Sequence, residues 1–160
     1  MQRTTNHGPR TKSSREPQTN SSHRLIEQVQ KHGAPVAKLV GFEIEDVADG
    51  RAVGHLEAGP QHANPMGTLH GGVLCDLADA AMGMALASTL DLEESFTTLE
   101  LKINFLRPFW TGRLRAEANV TNRGKTVGLV ECAVSDERHR LIAKASSTCL
   151  ILTGEQAVGR

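Results

Sequence analysis

The sequence predicts an α+β domain in which one antiparallel sheet of about six strands packs a single long helix against one face. Three observations carry this expectation. The run from Val73 to Leu90 is dominated by small apolar residues, contains no proline and is too long for an ordinary strand, so it reads as a helix. The chain after it changes to a period of two: Leu99, Leu101, Ile103 and Phe105 alternate with Thr98, Glu100, Lys102 and Asn104, and Leu114, Ala116, Ala118 and Val120 alternate with Arg113, Arg115, Glu117 and Asn119. Tight turns join these segments, which makes neighbouring strands antiparallel.

In chain order, residues 1–24 come first. They are Ser, Thr, Asn, Gln, Pro, Gly and basic residues, with Met1 the only aliphatic, and Arg3, Arg10, Lys12, Arg15 and Arg24 stand against Glu16. Such a segment cannot bury enough to order itself, so a disordered basic tail is expected. It lacks the apolar face of a transit peptide and the apolar core of a secretory signal. The single domain is expected over residues 25–153, with a short C-terminal tail at 154–160; 160 residues are enough for one sizeable core.

Leu25 to Lys31 has weak helical spacing that Gly33 and Pro35 end, and Val36 to Val40 is a second short apolar piece; neither shows evident chemistry. Gly41 to Val47 and Arg51 to Glu57 read as strands around the hairpin signal Ala48-Asp49-Gly50. After the helix, Thr97 to Leu106 reads as a strand with one face buried, and Arg107-Pro108 with Thr111-Gly112 punctuates its exit. Asn122-Arg123-Gly124-Lys125 turns the following strand into Val127 to Ser135, and the charged turn Asp136 to His139 leads to Leu141 to Leu152. A single curled sheet leaves an edge uncovered, and a symmetric dimer is the natural remedy.

Eighteen basic and eighteen acidic residues give a formal net charge of zero, so no partnership with nucleic acid or an anionic membrane is expected. No stretch reaches the apolar length of a membrane span. Cys75, Cys132 and Cys149 are far apart, odd in number and set in apolar surroundings, as in a reducing, cytoplasmic compartment. The seven histidines lack paired ligand spacing, so no metal site is expected.

The chemistry points to the helix. At its start, His70-Gly71-Gly72, the backbone amides have no partners within the helix and the dipole is positive, a place suited to a developing oxyanion. Asp76 and Asp79 lie three positions apart, on roughly the same side. Asp76 sits near the N-terminal dipole and has a structural reading. Asp79 is surrounded by Ala78, Ala80, Ala81 and Met82, with no evident polar face, and is the candidate functional carboxylate.

The run Asn64-Pro65-Met66-Gly67-Thr68-Leu69-His70-Gly71-Gly72-Val73-Leu74, followed by Leu77-Ala78-Asp79-Ala80-Ala81, resembles the signature of hotdog-fold thioesterases of the phenylacetic-acid-degradation type, within the wider 4-hydroxybenzoyl-CoA thioesterase superfamily. Thr97 to Pro108 resembles the strand after the hotdog helix in the same group. The resemblance spans roughly Gly41 to Leu152. It implies a curved six-stranded sheet wrapped round the central helix, pairing into dimers and often tetramers, with active sites between protomers. It also implies hydrolysis of acyl-CoA or aryl-CoA thioesters, with coenzyme A as part of the substrate and no separate cofactor.

By residue, the resemblance implies that the Gly71 amide serves the thioester carbonyl, with Gly72 beside it among the substrate contacts. Asn64 would orient the substrate or the water, and His70 would brace the turn. Asp79 of the other protomer would act as general base or nucleophile, assisted by Thr98. Arg123, Gly124 and Lys125 resemble the loop that relatives use near the nucleotide, and Arg107 is a weaker candidate there. Met82, Phe105 and Trp110 are the candidate apolar wall for the acyl group. Thioester hydrolysis needs a positioned water, a base and a place for negative charge on oxygen, and these residues could supply all three. Direct attack by Asp79 to give a mixed anhydride meets the same needs. Two other functions fit related folds: a non-catalytic acyl-CoA sensor, and an acyl-thioester dehydratase, whose usual His-Phe-Pro and Pro-Gly settings are missing around His62 and His70.

Overall fold

The computed structural model describes residues 26, 27, 29 and 31–157; the expected tail at 1–24 and the last three residues of the C-terminal tail lie outside these. The elements are α1 (Pro35–Val40), β1 (Phe42–Ala48), β2 (Arg51–Ala58), α2 (Gly71–Ala87), β3 (Glu94–Phe105), β4 (Gly112–Arg123), β5 (Val127–Asp136) and β6 (Leu141–Thr153). The six strands form one antiparallel sheet in the order β1-β2-β4-β5-β6-β3, curled around α2 as the hotdog expectation requires.

Local chemistry sets the boundaries. Asp49 and Gly50 both take positive φ, 49° and 79°, which is the geometry of the two-residue turn that best matches strand twist. The β1–β2 hairpin follows from that pair. His70 caps α2: its Nδ1 accepts from the Gly72 amide at 2.9 Å. The helix ends at Ala87, short of the expected Leu90, because the Ser88 and Thr89 hydroxyls donate to the carbonyls of Ala85 and Leu86 at 2.7 and 2.8 Å. Ser88 Oγ in turn accepts from Gly50 N at 2.8 Å and ties this end to the hairpin.

The core lies between α2 and the concave face of the sheet. Cross-strand partners share a face, so Gly54, Ala116 and Val134, like Ala118, Cys132 and Ala145, line that surface in rows. Leu56, Leu77, Met82, Leu86, Leu114 and Ile142 are its largest fully buried side chains. Small residues let the helix settle close. Ala78, Ala81 and Ala85 are fully buried, and a Cβ on Gly54 or Gly128 would meet Leu77 or Leu86 side chains at 3.1 or 2.8 Å. Cys132 and Cys149 are buried and Cys75 half-buried; burial pushes the Cys132 thiol up to about 12.

β3 departs from the sequence expectation of one cleanly buried face. It is a sheet edge, with Leu99 58% and Phe105 55% exposed, and it carries a bulge. Thr98 pairs with Cys149 and Glu100 with Thr148, leaving Leu99 as the extra residue. The bulge reverses the alternation. Thr98, which plain alternation puts on the polar side with Glu100, shares the concave face with Phe96 and Leu101, and its hydroxyl lies 3.9 Å from Cys149 Sγ. Buried Ser147 donates to the Glu100 carbonyl at 2.9 Å and secures the irregularity.

Candidate active site

Because β1 and β3 are opposite edges of the curled sheet, one side of α2 faces the gap between them. A cavity of about 820 Å³ occupies that gap. Its walls come from β1 (Phe42, Glu43, Ile44, Glu45), from α2 (Asp79, Ala80, Gly83, Met84), from the start of β3 (Phe96, Thr98) and from α1 with the residues before it. Asp79 and Thr98 therefore meet in one chamber. A second cavity of about 320 Å³ lies at the helix start and is lined by Asn64, Thr68, Leu69, Gly71 and Leu74, with Phe105 to Phe109 opposite.

Asp79 is less enclosed than its apolar sequence neighbours suggest. Its side chain opens into the cavity and is exposed on the single chain, as is Asp76. The chamber walls still strip part of its hydration, and this partial burial, together with the Asp76 charge one turn away, raises its pKa above the usual carboxylate value. A carboxylate held this way is a better base than an ordinary surface Asp, provided it is ionised.

At the helix start the polar groups are fixed by local bonds. Asn64 Oδ1 accepts from the Met66 amide at 2.9 Å and its Nδ2 donates to Thr68 Oγ1 at 2.8 Å; main-chain bonds from Asn64 N to Thr68 O and from Gly67 N to Asn64 O close the same loop. These bonds meet the turn reading of Asn64, and they leave one hydrogen of its side-chain amide unused. With Nδ1 of His70 accepting, its proton sits on Nε2. The Gly71 amide has no hydrogen-bond partner among the described residues and faces the second cavity, where the Phe105 ring would lie 2.8 Å from any Cβ at this position. His62 is buried and structural: Nδ1 accepts from Gly59 N and Nε2 donates to the Val40 carbonyl at 2.7 Å, bracing the end of α1 against the approach to α2.

Gly71 and Asp79 are eight residues apart, so one copy holds the two groups about 12 Å from each other along the helix. The groups singled out by sequence thus fall into two pairs, Asn64 with Gly71 and Asp79 with Thr98, at two separate cavities.

Other expected residues land elsewhere. Met82 is 1% exposed and belongs to the core; Met84, two residues on, lines the large cavity instead. Phe105 lines the helix-start cavity and Trp110 is exposed. The Arg123 guanidinium is engaged by Glu94 and by the Gly124 carbonyl. Burial alone would raise the Glu94 carboxyl, but the hydrogen bond from the Asp91 amide and the contact with Arg123 outweigh it and lower the pKa. Arg123 is therefore not a free cation, whereas Lys125 is exposed and Arg107 lines the second cavity with no ion pair among the described residues. The stretch around α1 also contributes to the site: Val29, Val36 and Ala37 wall the large cavity, although their spacing carries no polar signature. Thr68 was overlooked, and its place four residues after Asn64 in a turn is the only local signal.

Residues 66–143 match the family model described as the thioesterase superfamily. The chain is similar to the 1,4-dihydroxy-2-naphthoyl-CoA hydrolase of Listeria monocytogenes, at 31% identity over 71% of this chain and 93% of that protein. It is similar also to the acyl-coenzyme A thioesterase PaaI of Escherichia coli, at 33% identity over 67% of this chain and 75% of that one. Among solved structures, a phenylacetic acid degradation-related protein from Ralstonia eutropha JMP134 superposes with a TM-score of 0.70 at 32% identity, covering 78% of this chain and 98% of its own.

Proposed function

This chain belongs to the thioesterase superfamily, and on that premise we propose that it hydrolyses acyl-CoA thioesters in a site built from two copies of itself. The observation that carries the reading is the division of the polar groups between two cavities, with Gly71 and Asp79 about 12 Å apart along one helix, too far for a single thioester carbonyl to touch both. Two copies meeting along the β3 edge, where Leu99, Phe105 and Leu106 are exposed, can bring the helix start of one beside Asp79 of the other.

In that site the Gly71 amide donates to the thioester carbonyl oxygen and stabilises the charge that develops there. Asn64, locked by Met66 and Thr68, donates its remaining amide hydrogen to substrate or water. His70 keeps the helix start in register through its bond to Gly72. The partner copy's carboxylate at position 79 takes a proton from the attacking water, or attacks the carbonyl carbon itself; the thiolate of coenzyme A leaves in either case. Thr98 orients the carboxylate or the water. The coenzyme phosphates, in this reading, meet Arg107 and Lys125 rather than Arg123.

The test is release of free thiol from a panel of acyl- and aryl-CoA thioesters by the native protein, by Asp79→Asn, by Asn64→Ala, and by the two variants mixed after dissociation and reassociation. Each variant alone should be nearly inactive. The mixture should recover about a quarter of native activity, because half the dimers are mixed and each holds one intact site. A mixture as inactive as its components would mean that one copy carries the whole site.

A further inference from the structure

We propose that Gly83 is the specificity-determining position of this enzyme, keeping the large cavity deep enough for apolar acyl groups of medium-chain or aryl size. The inference rests on the thioesterase reading above and deepens it.

Glycine in the middle of a long helix is poorly suited to its place, so its presence calls for a local reason. At Gly54, Gly71 and Gly128 that reason is packing: an added Cβ would fall 2.8–2.9 Å from a neighbouring side chain. Gly83 is different. It has ordinary helical backbone, and a Cβ there would reach only the tip of the Phe96 ring, at 3.4 Å, with the next atom at 3.8 Å. An alanine would fit the fold and favour the helix. What a side chain at 83 would take up is the cavity itself, which Gly83 lines together with Ala80, Met84 and Phe96.

The position lies four residues beyond Asp79 on the same face of α2, a rise of about 6 Å. A thioester carbonyl placed at the Asp79 carboxylate therefore sends its acyl tail past Gly83. The wall around it includes Phe96, Met84, Val36 and Phe42, while the other ionisable residues of the cavity, His32, Lys38, Glu43 and Glu45, come from β1 and the α1 stretch and not from α2. A phenyl ring or a medium alkyl chain fills this depth; an acetyl group ends before it.

The measurement is kcat/KM for thiol release from acetyl-, octanoyl- and phenylacetyl-CoA by the native protein, Gly83→Ala and Gly83→Leu, with melting temperatures as the folding control. The native protein should prefer the two larger thioesters. Gly83→Leu should lower the octanoyl-to-acetyl and phenylacetyl-to-acetyl ratios by tenfold or more, in line with what one or a few methylenes decide in an apolar pocket. Gly83→Ala, which keeps or raises the melting temperature, should move the same ratios by a smaller factor in the same direction. Ratios unchanged in Gly83→Ala and in a folded Gly83→Leu, or a native preference for acetyl-CoA, would overturn the role of Gly83 and leave the hydrolytic reading intact. No thiol release by the native protein from any thioester would overturn both.

Discussion

The start and the middle of α2 hold their polar groups by opposite means. At the helix start, Asn64, Thr68, His70 and Gly72 are joined by hydrogen bonds of 2.8–2.9 Å within nine residues of chain, so the loop carries its own scaffold. Two turns further on, Asp79 has no such bond among the described residues, and is set by what surrounds it: a chamber assembled from α1, β1 and β3, and a second carboxylate at Asp76. The first arrangement gives donors in fixed directions, as an oxyanion site needs. The second gives a carboxylate with raised proton affinity beside an apolar space, as a base acting on a bound acyl group needs. A local device positions, and a tertiary one tunes.

Removing the tuned group should have the largest effect. Asp79→Asn is expected to lower thioester hydrolysis by a hundredfold or more, the scale of a lost general base or nucleophile. Its stability should move the other way. A carboxyl whose folded pKa is raised contributes stability below its unfolded pKa and loses it as pH rises through the folded value, so the variant should melt above the native protein at neutral pH. The gap should close in acid, below the normal carboxylate range, and thermal melts at the two pH values check this. A variant that is less stable at both would mean that Asp79 makes favourable contacts in its ionised form.

Breaking the self-scaffolded half should cost less. Thr68→Val takes away the acceptor of Asn64 Nδ2, and kcat should fall about tenfold with KM little changed, because a misdirected donor weakens the transition state more than the ground state. Thr68→Ser should restore it. A similar loss in the serine variant would point to packing rather than orientation. On the coenzyme side, Arg107→Gln should raise KM for CoA thioesters severalfold. Arg123→Gln should leave KM alone and lower the melting temperature by uncoupling Glu94. The reverse pattern would return the nucleotide to the β4–β5 turn.

The smallest effect sharpens the contrast. Asp76→Asn removes the like charge that helps raise the Asp79 pKa, so the acid limb of the kcat/KM profile should shift to lower pH. The plateau rate should be retained. An unmoved limb would leave burial as the sole cause of the shift.

Much of this was legible in the sequence because local patterns encode it. The Asp49-Gly50 turn needs positive φ at both residues, the strands after the helix alternate, and His70-Gly71-Gly72 announces a helix start; each depends on residues within a few positions of one another. The site signals at the helix start were equally local, and Asn64 could be both turn-former and donor because the loop uses only part of its hydrogen-bonding capacity.

Tertiary structure decided the rest. Alternation shows that Leu99 and Phe105 share a pattern, but not that β3 is an edge or that one extra residue at Leu99 reverses the phase and brings Thr98 inward. Helical spacing does not fix which methionine meets the cavity, since Met82 and Met84 differ only in whether the sheet or the open side of α2 faces them. The sequence puts Arg123 in a basic turn but does not show that Glu94, twenty-nine residues away, lies against it. The α1 stretch looked chemically silent because apolar walls acquire meaning only from the space they enclose. Sequence fixes what each residue can do and the conformation its near neighbours allow; which long-range surfaces meet, and so what is buried, paired or left open, is settled only when the sheet closes around the helix.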